Sequence, residues 1–262
     1  MSLPRLGWPL PRYFAHRGGG ALAPENTLAG LRLAARLGVQ AVEFDVMLSA
    51  DKTPWLIHDE TLMRTTNAEG RVCDSNDMQL RLLDAGTAHH PAFAGEAMPT
   101  LADAACLCRE LGLYVNLEIK PTAGHEVLTG EVVASAAREL WVSAPPPLLS
   151  SFSVPALFAA RAAAPELPIA CLYDQPPADW LTRFHELAAA TLHCHASAID
   201  DSLLQLATTQ QIPLLAFTVN EPATAAALFR RGVAAVFTDR IDLIDRATVG
   251  SDRQGWHMKT CR

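Results

Sequence analysis

Nine short apolar or β-branched runs, separated mostly by single alanine- and leucine-rich helical patterns, predict an α/β chain. The architecture expected of that alternation is a TIM (β/α)8 barrel with a small inserted cap between an early strand and the following helix. Length supports the same class. At about 150 residues per domain, the 262 residues fall between one domain and two, and a β/α barrel of about 250 takes up that length without a linker. Residues 1–262 are therefore expected to form a single barrel with an insertion at about 59–100. With 50% hydrophobic and 19% charged residues, the composition is that of a globular chain and excludes disordered and fibrous classes.

The first strand is expected at 13–16 and leads through His16 and Arg17 into the glycine run 18–20. Pro24-Glu25-Asn26-Thr27 then opens a helix over 26–37 as an N-terminal capping segment. Strands at 41–48 and 55–58 follow, joined by the turn 49–54. A barrel closes with eight strands and nine are predicted, so one of this pair is extra. The rhythm breaks over 59–100, which carries Gly70, Gly86, Gly95 and His89-His90-Pro91 without a clean period. An unbroken loop of that length is rare in a compact domain, so the segment is expected to hold structure of its own over one barrel end, where insertions shape substrate pockets. The alternation then resumes with helix 101–111, strand 113–119, helix 126–140, strand 148–152, helix 154–163 and strand 169–173. It finishes with helix 178–189, strand 191–195, helix 202–210, strand 214–219, helix 222–231 and strand 234–238. The proline-rich stretches 144–147 and 175–177 fall at strand–helix joints and require no domain boundary.

Charge and cysteine usage exclude several partners. The balance 21 − 28 = −7, with nine histidines neutral, argues against a nucleic-acid partner held by phosphate electrostatics. No apolar run reaches the roughly 18 residues that span a bilayer, and three prolines within 1–11 interrupt the stretch a signal peptide needs, so the chain is expected in the cytoplasm without membrane insertion. The six cysteines lack paired CxxC spacing and are expected as thiols. Cys106 and Cys108 point about 200° apart on their helix, which opposes a shared metal and favours core packing.

In strand 41–48, Glu43 and Asp45 at i and i+2 project to one face while Val42, Phe44 and Val46 take the other, so both acids point into the barrel. Two buried unpaired carboxylates cost several kcal/mol, and a divalent cation with oxygen ligands is the usual compensation. Glu118 and Lys120 repeat the spacing on a second strand. Glu118 is a candidate third ligand and Lys120 a cation for an anionic substrate, or the two form a barrel salt bridge. His16 and His58 each close a strand, where such barrels keep their active sites. Either they are structural, or they supply the proton acceptor and donor that phosphoester cleavage needs. Arg17 can bind two phosphate oxygens at once, and the glycines behind it let backbone N–H groups approach an anion, or simply form a flexible turn. Glu25 is a further carboxylate near the metal position. His193 and His195 line the pocket or serve structure, and Thr218, Asn220, Thr238 and Asp239 bring polar groups to the same barrel face.

In order along the chain, these motifs resemble the glycerophosphodiester phosphodiesterases of the bacterial cytosolic type, and the resemblance covers nearly the whole sequence. The family's HRG is His16-Arg17-Gly18, its PENT is Pro24-Glu25-Asn26-Thr27, its ExD is Glu43 and Asp45, its second histidine is His58-Asp59, and its ExK is Glu118 and Lys120. The insertion marks Arg64-Thr65-Thr66-Asn67 and Asp84-Ala85-Gly86, and the late TVN and TD signatures at 218–220 and 238–239, stand in the same order. The resemblance implies one divalent ion, Mg²⁺ or Ca²⁺, at Glu43, Asp45 and Glu118, with His16 and His58 as general acid and base. It implies hydrolysis of small-molecule glycerophosphodiesters to an alcohol and glycerol 3-phosphate, a reaction of lipid and glycerol metabolism. Phe217 stands where the family often has tryptophan and bears on the alcohol pocket. A barrel phosphodiesterase acting on intact lipid, of the phospholipase C or D kind, needs a membrane-facing apolar or basic rim, which the acidic balance disfavours. A binding module without turnover has no use for a proton donor and acceptor.

Overall fold

Along strand β2 (Ala41–Leu48) every residue is buried, but on two different sides. Val42, Phe44 and Val46 join the apolar layer between the sheet and its helices, whereas Ala41 faces a second, smaller apolar cluster inside the barrel. The same division holds around the sheet, because pleated strands alternate their side chains and both faces of a parallel barrel are covered. In the computed structural model, which describes residues 9–244, the other strands are β1 (Tyr13–Ala15), β3 (Pro54–Leu56), β4 (Tyr114–Ile119), β5 (Leu148–Ser151), β6 (Ile169–Tyr173), β7 (Thr191–His195), β8 (Leu214–Phe217) and β9 (Ala235–Thr238). All except β3 run parallel in one sheet, and the pairings β1–β9 and β1–β2 close it into an eight-stranded TIM barrel. Phe14, Leu148, Leu215 and Phe237 fill its interior.

The extra strand of the predicted pair is β3. It runs antiparallel to the far end of β2, with Val46 opposite Leu56 and Leu48 opposite Pro54. Beyond it, His58 comes back beside the barrel mouth, with the Ile57 N–H donating to the Asp45 carbonyl at 3.1 Å.

Helices α1 (Leu28–Arg36), α3 (Leu101–Leu111), α4 (Glu126–Leu140), α5 (Val154–Ala163), α6 (Trp180–Glu186), α7 (Asp201–Thr209) and α8 (Pro222–Arg231) cover the barrel, and a short α2 (Asp77–Leu80) lies in the insertion. Their limits follow cap chemistry. Thr27, and not Asn26, caps α1 by accepting from the Gly30 N–H, while Thr100 and Asp103 form a reciprocal capping box at α3 and Gly112 ends it at φ +66°. Among the described residues no helix is long and apolar enough to cross a membrane.

The segment 59–100 is a cap with its own buried cluster, formed by Met47, Trp55, Ile57, Leu62, Val72, Leu80, Ala85 and Met98. Glu96 docks it on the barrel by accepting from the Ala29 N–H of α1 at 2.8 Å. Cys73, Cys106, Cys108, Cys171 and Cys194 are free thiols, and Cys261 lies outside the described residues. Of the helical pair, Cys108 enters the core, whereas Cys106 is half-buried with its thiol 3.7 Å from Glu110. Two positions about 200° apart on one helix cannot both face the sheet.

Candidate active site

Glu43 and Asp45 from β2 and Glu118 from β4 meet inside the barrel mouth, where a ligand oxygen from each lies within 4.8 Å of the others. Register explains the meeting, because Asp45 is the direct neighbour of Glu118 across the β2–β4 ladder. Glu43 Oε1 is buried with no hydrogen-bond partner. Burial, followed by the charges of Asp45 and Glu118, pushes the Glu43 carboxyl well above its ordinary range, and burial and Asp45 push Glu118 the same way. Lys120 Nζ lies 3.4 Å from Glu118 and 3.8 Å from Asp45, so the expected salt bridge is present but serves two acids. An orphaned carboxylate oxygen within a set of three hard oxygen donors fits a divalent cation.

Each histidine is gripped at Nδ1 by a carboxylate. His16 Nδ1 lies 2.6 Å from Asp239, and His58 Nδ1 lies 2.6 Å from Asp59. A carboxylate acceptor holds the proton on Nδ1 and leaves Nε2 as the free nitrogen. Asn220 fixes Asp239 by donating to its carboxylate at 3.0 Å and accepting from its N–H at 2.8 Å, so the TVN and TD segments serve the orientation of His16. Burial lowers the His58 pKa, opposed by the Asp45 charge and the Asp59 hydrogen bond. Asp59 itself is held well below the usual carboxylate range, chiefly by a hydrogen bond from Arg64.

In the loop 16–20 the glycines form a turn and not an anion cradle. The N–H groups of Gly18, Gly19 and Gly20 donate to the carbonyls of Glu43, Arg17 and His16, which leaves none of the three to cradle an anion. The Arg17 N–H goes to Glu43 at 2.8 Å, and Arg17 itself sits at φ +52°. Asn26 grips Asp45 twice, donating to its carboxylate at 2.9 Å and accepting from its N–H at 3.0 Å. Glu25 is not part of the acidic trio. Its carboxylate accepts from Arg17 at 3.1 and 3.2 Å and from both terminal nitrogens of Arg64 at 2.7 and 2.8 Å. Between two guanidiniums a carboxylate is already neutralised and has no need of a metal.

These groups line a cavity of about 280 Å³. Its lining combines the charged set His16, Arg17, Glu43, Asp45, His58, Glu118 and Lys120 with Asn116, Phe152, Leu172, Asp174, His193, His195, Phe217, Thr218 and Phe237. Phe217 packs edge-on against Phe152 and against His195, each at 5.9 Å between centroids. His193 is buried, with Nε2 3.0 Å from Thr191, and burial lowers its pKa to about 3. His195 is exposed and bonded to Ser197 at 2.7 Å. Asn116 escaped the sequence reading although its signal was present, since it stands two residues before Glu118 on the same strand face. Phe152, expected as the last residue of its strand, and Asp174 stand just after β5 and β6 at loop positions.

Comparison with known proteins supplies relatives. A model of the glycerophosphoryl diester phosphodiesterase family matches residues 16–243. A glycerophosphodiester phosphodiesterase from Caldanaerobacter subterraneus subsp. tengcongensis is 33% identical over 227 residues, 86% of this chain and 92% of the relative. A phosphodiesterase from Oleispira antarctica, solved in complex with the product sn-glycerol-3-phosphate, has a TM-score of 0.85 at 37% identity and covers 88% of this chain and 93% of its own. The glycerophosphodiester phosphodiesterase of Agrobacterium tumefaciens str. C58 has a TM-score of 0.74 at 25% identity, covering 88% and 97%.

Proposed function

The chain belongs to the glycerophosphoryl diester phosphodiesterase family, and from that premise we propose that it hydrolyses glycerophosphodiesters, the deacylated phospholipid headgroups, to an alcohol and glycerol 3-phosphate in a metal-dependent reaction. One observation carries the proposal: three carboxylates whose oxygens gather within 4.8 Å share a cavity with two imidazoles, each held at Nδ1 by its own carboxylate. Glu43, Asp45 and Glu118 would hold one divalent ion, Mg²⁺ or Ca²⁺. Bound there, the ion would polarise a phosphoryl oxygen and offset the charge that builds on it.

The protein's own groups account for the remaining tasks. Arg17 and Lys120 neutralise the other phosphate oxygens. The free Nε2 of one histidine takes the proton of the attacking hydroxyl, while the other, entering the reaction as imidazolium, gives its Nε2 proton to the departing alkoxide oxygen. Asp59 and Asp239 hold each ring through its Nδ1–H and steady its imidazolium form. Phe217, with Phe152 against it, flanks the organic arms of the diester. The substrate is a small molecule and not a nucleic acid, in keeping with a net charge of −7. Free thiols at the five described cysteines support action in the cytoplasm.

The test incubates purified protein with glycerophosphocholine and glycerophosphoethanolamine, with and without Mg²⁺ or Ca²⁺, and measures glycerol 3-phosphate. Turnover is expected only with metal, and the ion should also raise the thermal midpoint, since it binds the folded chain. Glu43→Gln should weaken metal affinity, whereas His16→Ala and His58→Ala should keep the ion and lower kcat by roughly 10²- to 10⁴-fold. Undiminished turnover in excess EDTA after dialysis, or faster cleavage of bis(p-nitrophenyl) phosphate, would overturn the proposal.

A further inference from the structure

We infer that Arg64, supplied by the inserted cap, is a positioning residue that aligns the proton-transfer side and the phosphate-binding side of the site together. The inference rests on the proposed function for the meaning of those two sides and on geometry for the link between them. The Arg64 Nε–H donates to Asp59 Oδ2, whose other oxygen holds His58 Nδ1 at 2.6 Å. The two terminal nitrogens of Arg64 donate to the two oxygens of Glu25 at 2.7 and 2.8 Å, and the same oxygens accept from Arg17. One guanidinium therefore closes a chain that runs His58, Asp59, Arg64, Glu25, Arg17.

Only a planar fork with donors on separate edges can serve both carboxylates at fixed angles, and a lysine ammonium offers no such pair of edges. The fork is mounted on a rigid turn. Thr66 donates to the Leu62 carbonyl through both its N–H at 3.0 Å and its hydroxyl at 2.8 Å, and Leu62 is buried in the cap's core. Arg64 is half-exposed, with a side-chain accessibility of 46%, and does not line the cavity. It therefore acts through its partners and not on the substrate. Half-exposed ion pairs contribute little to stability, so its loss should be read in turnover more than in folding.

Both carboxylates have a rotational freedom that Arg64 removes. Without it, Asp59 can turn from His58 towards solvent, and Glu25 retains Arg17 alone and can draw it away from the phosphate position. The two arms separate by substitution. Asp59→Asn should lower kcat and leave KM nearly unchanged, Glu25→Gln should raise KM more than it lowers kcat, and Arg64→Met should do both, by roughly 10- to 100-fold in kcat/KM. In combination the effects should not add, because the pairs share one network. Arg64→Met should change kcat by less than about threefold once Asp59 is already Asn, and should leave KM unchanged once Glu25 is already Gln.

The experiment measures kcat and KM on glycerophosphocholine for wild type, the three single variants and the two doubles at saturating metal. Alongside it, the His58 Nδ1–H resonance is followed by NMR on metal-free protein. Loss or exchange broadening of that resonance in Arg64→Met and in Asp59→Asn, but not in Glu25→Gln, is the expected signature. Arg64→Lys should recover little of kcat/KM, and Arg64→Gln repeats the series should Arg64→Met not fold. Wild-type kcat and KM in Arg64→Met, or simple additivity in both doubles, would overturn the inference. A wild type that turns over no glycerophosphodiester would instead overturn the proposed function on which the inference rests, and that result is seen before any variant is made.

Discussion

At Gly20 the backbone leaves no space for a methyl group. A Cβ there would lie 2.3 Å from the carbonyl oxygen of Asp239, the residue whose side chain holds His16, and φ is +57°. Gly38 has the same conformational demand, φ +83°, but nothing within 4 Å of its missing Cβ. The two glycines separate backbone strain from steric contact. Gly38→Ala should cost about 1 kcal/mol, the left-handed backbone term alone. Gly20→Ala carries that term and must also displace a carbonyl that accepts from the Ala21 N–H at 2.8 Å. It should cost at least about 3 kcal/mol and lower kcat as Asp239 and His16 part. Urea midpoints at constant slope give the comparison, and equal losses in the two variants would mean that the 16–20 loop yields freely.

The β2–β3 hairpin is the element that carries His58 to the mouth, and its turn is tied by one acid. Asp77 accepts from Ser49 at 2.7 Å, Thr53 at 2.6 Å and the Trp55 indole at 2.9 Å. Although burial acts against it, these three bonds hold its carboxyl below the usual range. Asp77→Ala leaves the indole N–H without its acceptor and should cost about 1–3 kcal/mol. It should lower kcat as well, since β3 positions His58; a thermal midpoint that falls while kcat holds would show that the catalytic end of the hairpin is anchored elsewhere. Legibility followed sequence distance. Strand Ala41–Leu48 and helices Leu101–Leu111, Glu126–Leu140 and Val154–Ala163 were readable in full, because alternation and capping act over a few residues. The acidic trio was readable because i and i+2 fix a face and barrel neighbours fix a register. Which strand of the first pair is the extra one was not, since both are short apolar runs joined by a turn. Nor was the clamp on His16, or the link between Arg64 and Glu25: Asp239 lies 223 positions from His16, and Arg64 lies 39 from Glu25, separations that local patterning does not encode, whereas the clamp on His58 is its neighbour Asp59. The choice between turn and anion cradle at the glycine run was not legible for a related reason, since the carbonyls that engage its N–H groups belong partly to β2.

Across the whole molecule, pH acts on stability through groups of opposite sign. His193 is buried neutral, and burial lowers its pKa to about 3. The unfolded chain binds a proton there near pH 6.5 and the folded chain does not, so stability is complete above about pH 6.5 and declines as pH falls towards 3. The contribution between pH 7 and 4.5 is on the order of 2–3 kcal/mol. Glu43 and Glu118, raised by burial and by the charge of Asp45, act oppositely in metal-free protein, where folding gains as pH falls through their raised values towards the ordinary one. Replacement isolates the histidine. The stability of His193→Gln should decline less than that of wild type between pH 7 and 4.5, and parallel curves from urea titrations would refute the assignment. The cap bears on a different timescale. Its two ends meet at the base, where the Leu56 N–H donates to the Pro99 carbonyl at 2.9 Å and Trp55 bridges Thr100. A loop closed at its root and filled by its own core can be lengthened, shortened or exchanged by recombination while the barrel strands keep their paths. Such exchange is constrained where the cap touches the barrel, at Asp59, Arg64, Asp77 and Glu96, so descendants of this barrel can diversify what covers the mouth only between those fixed points.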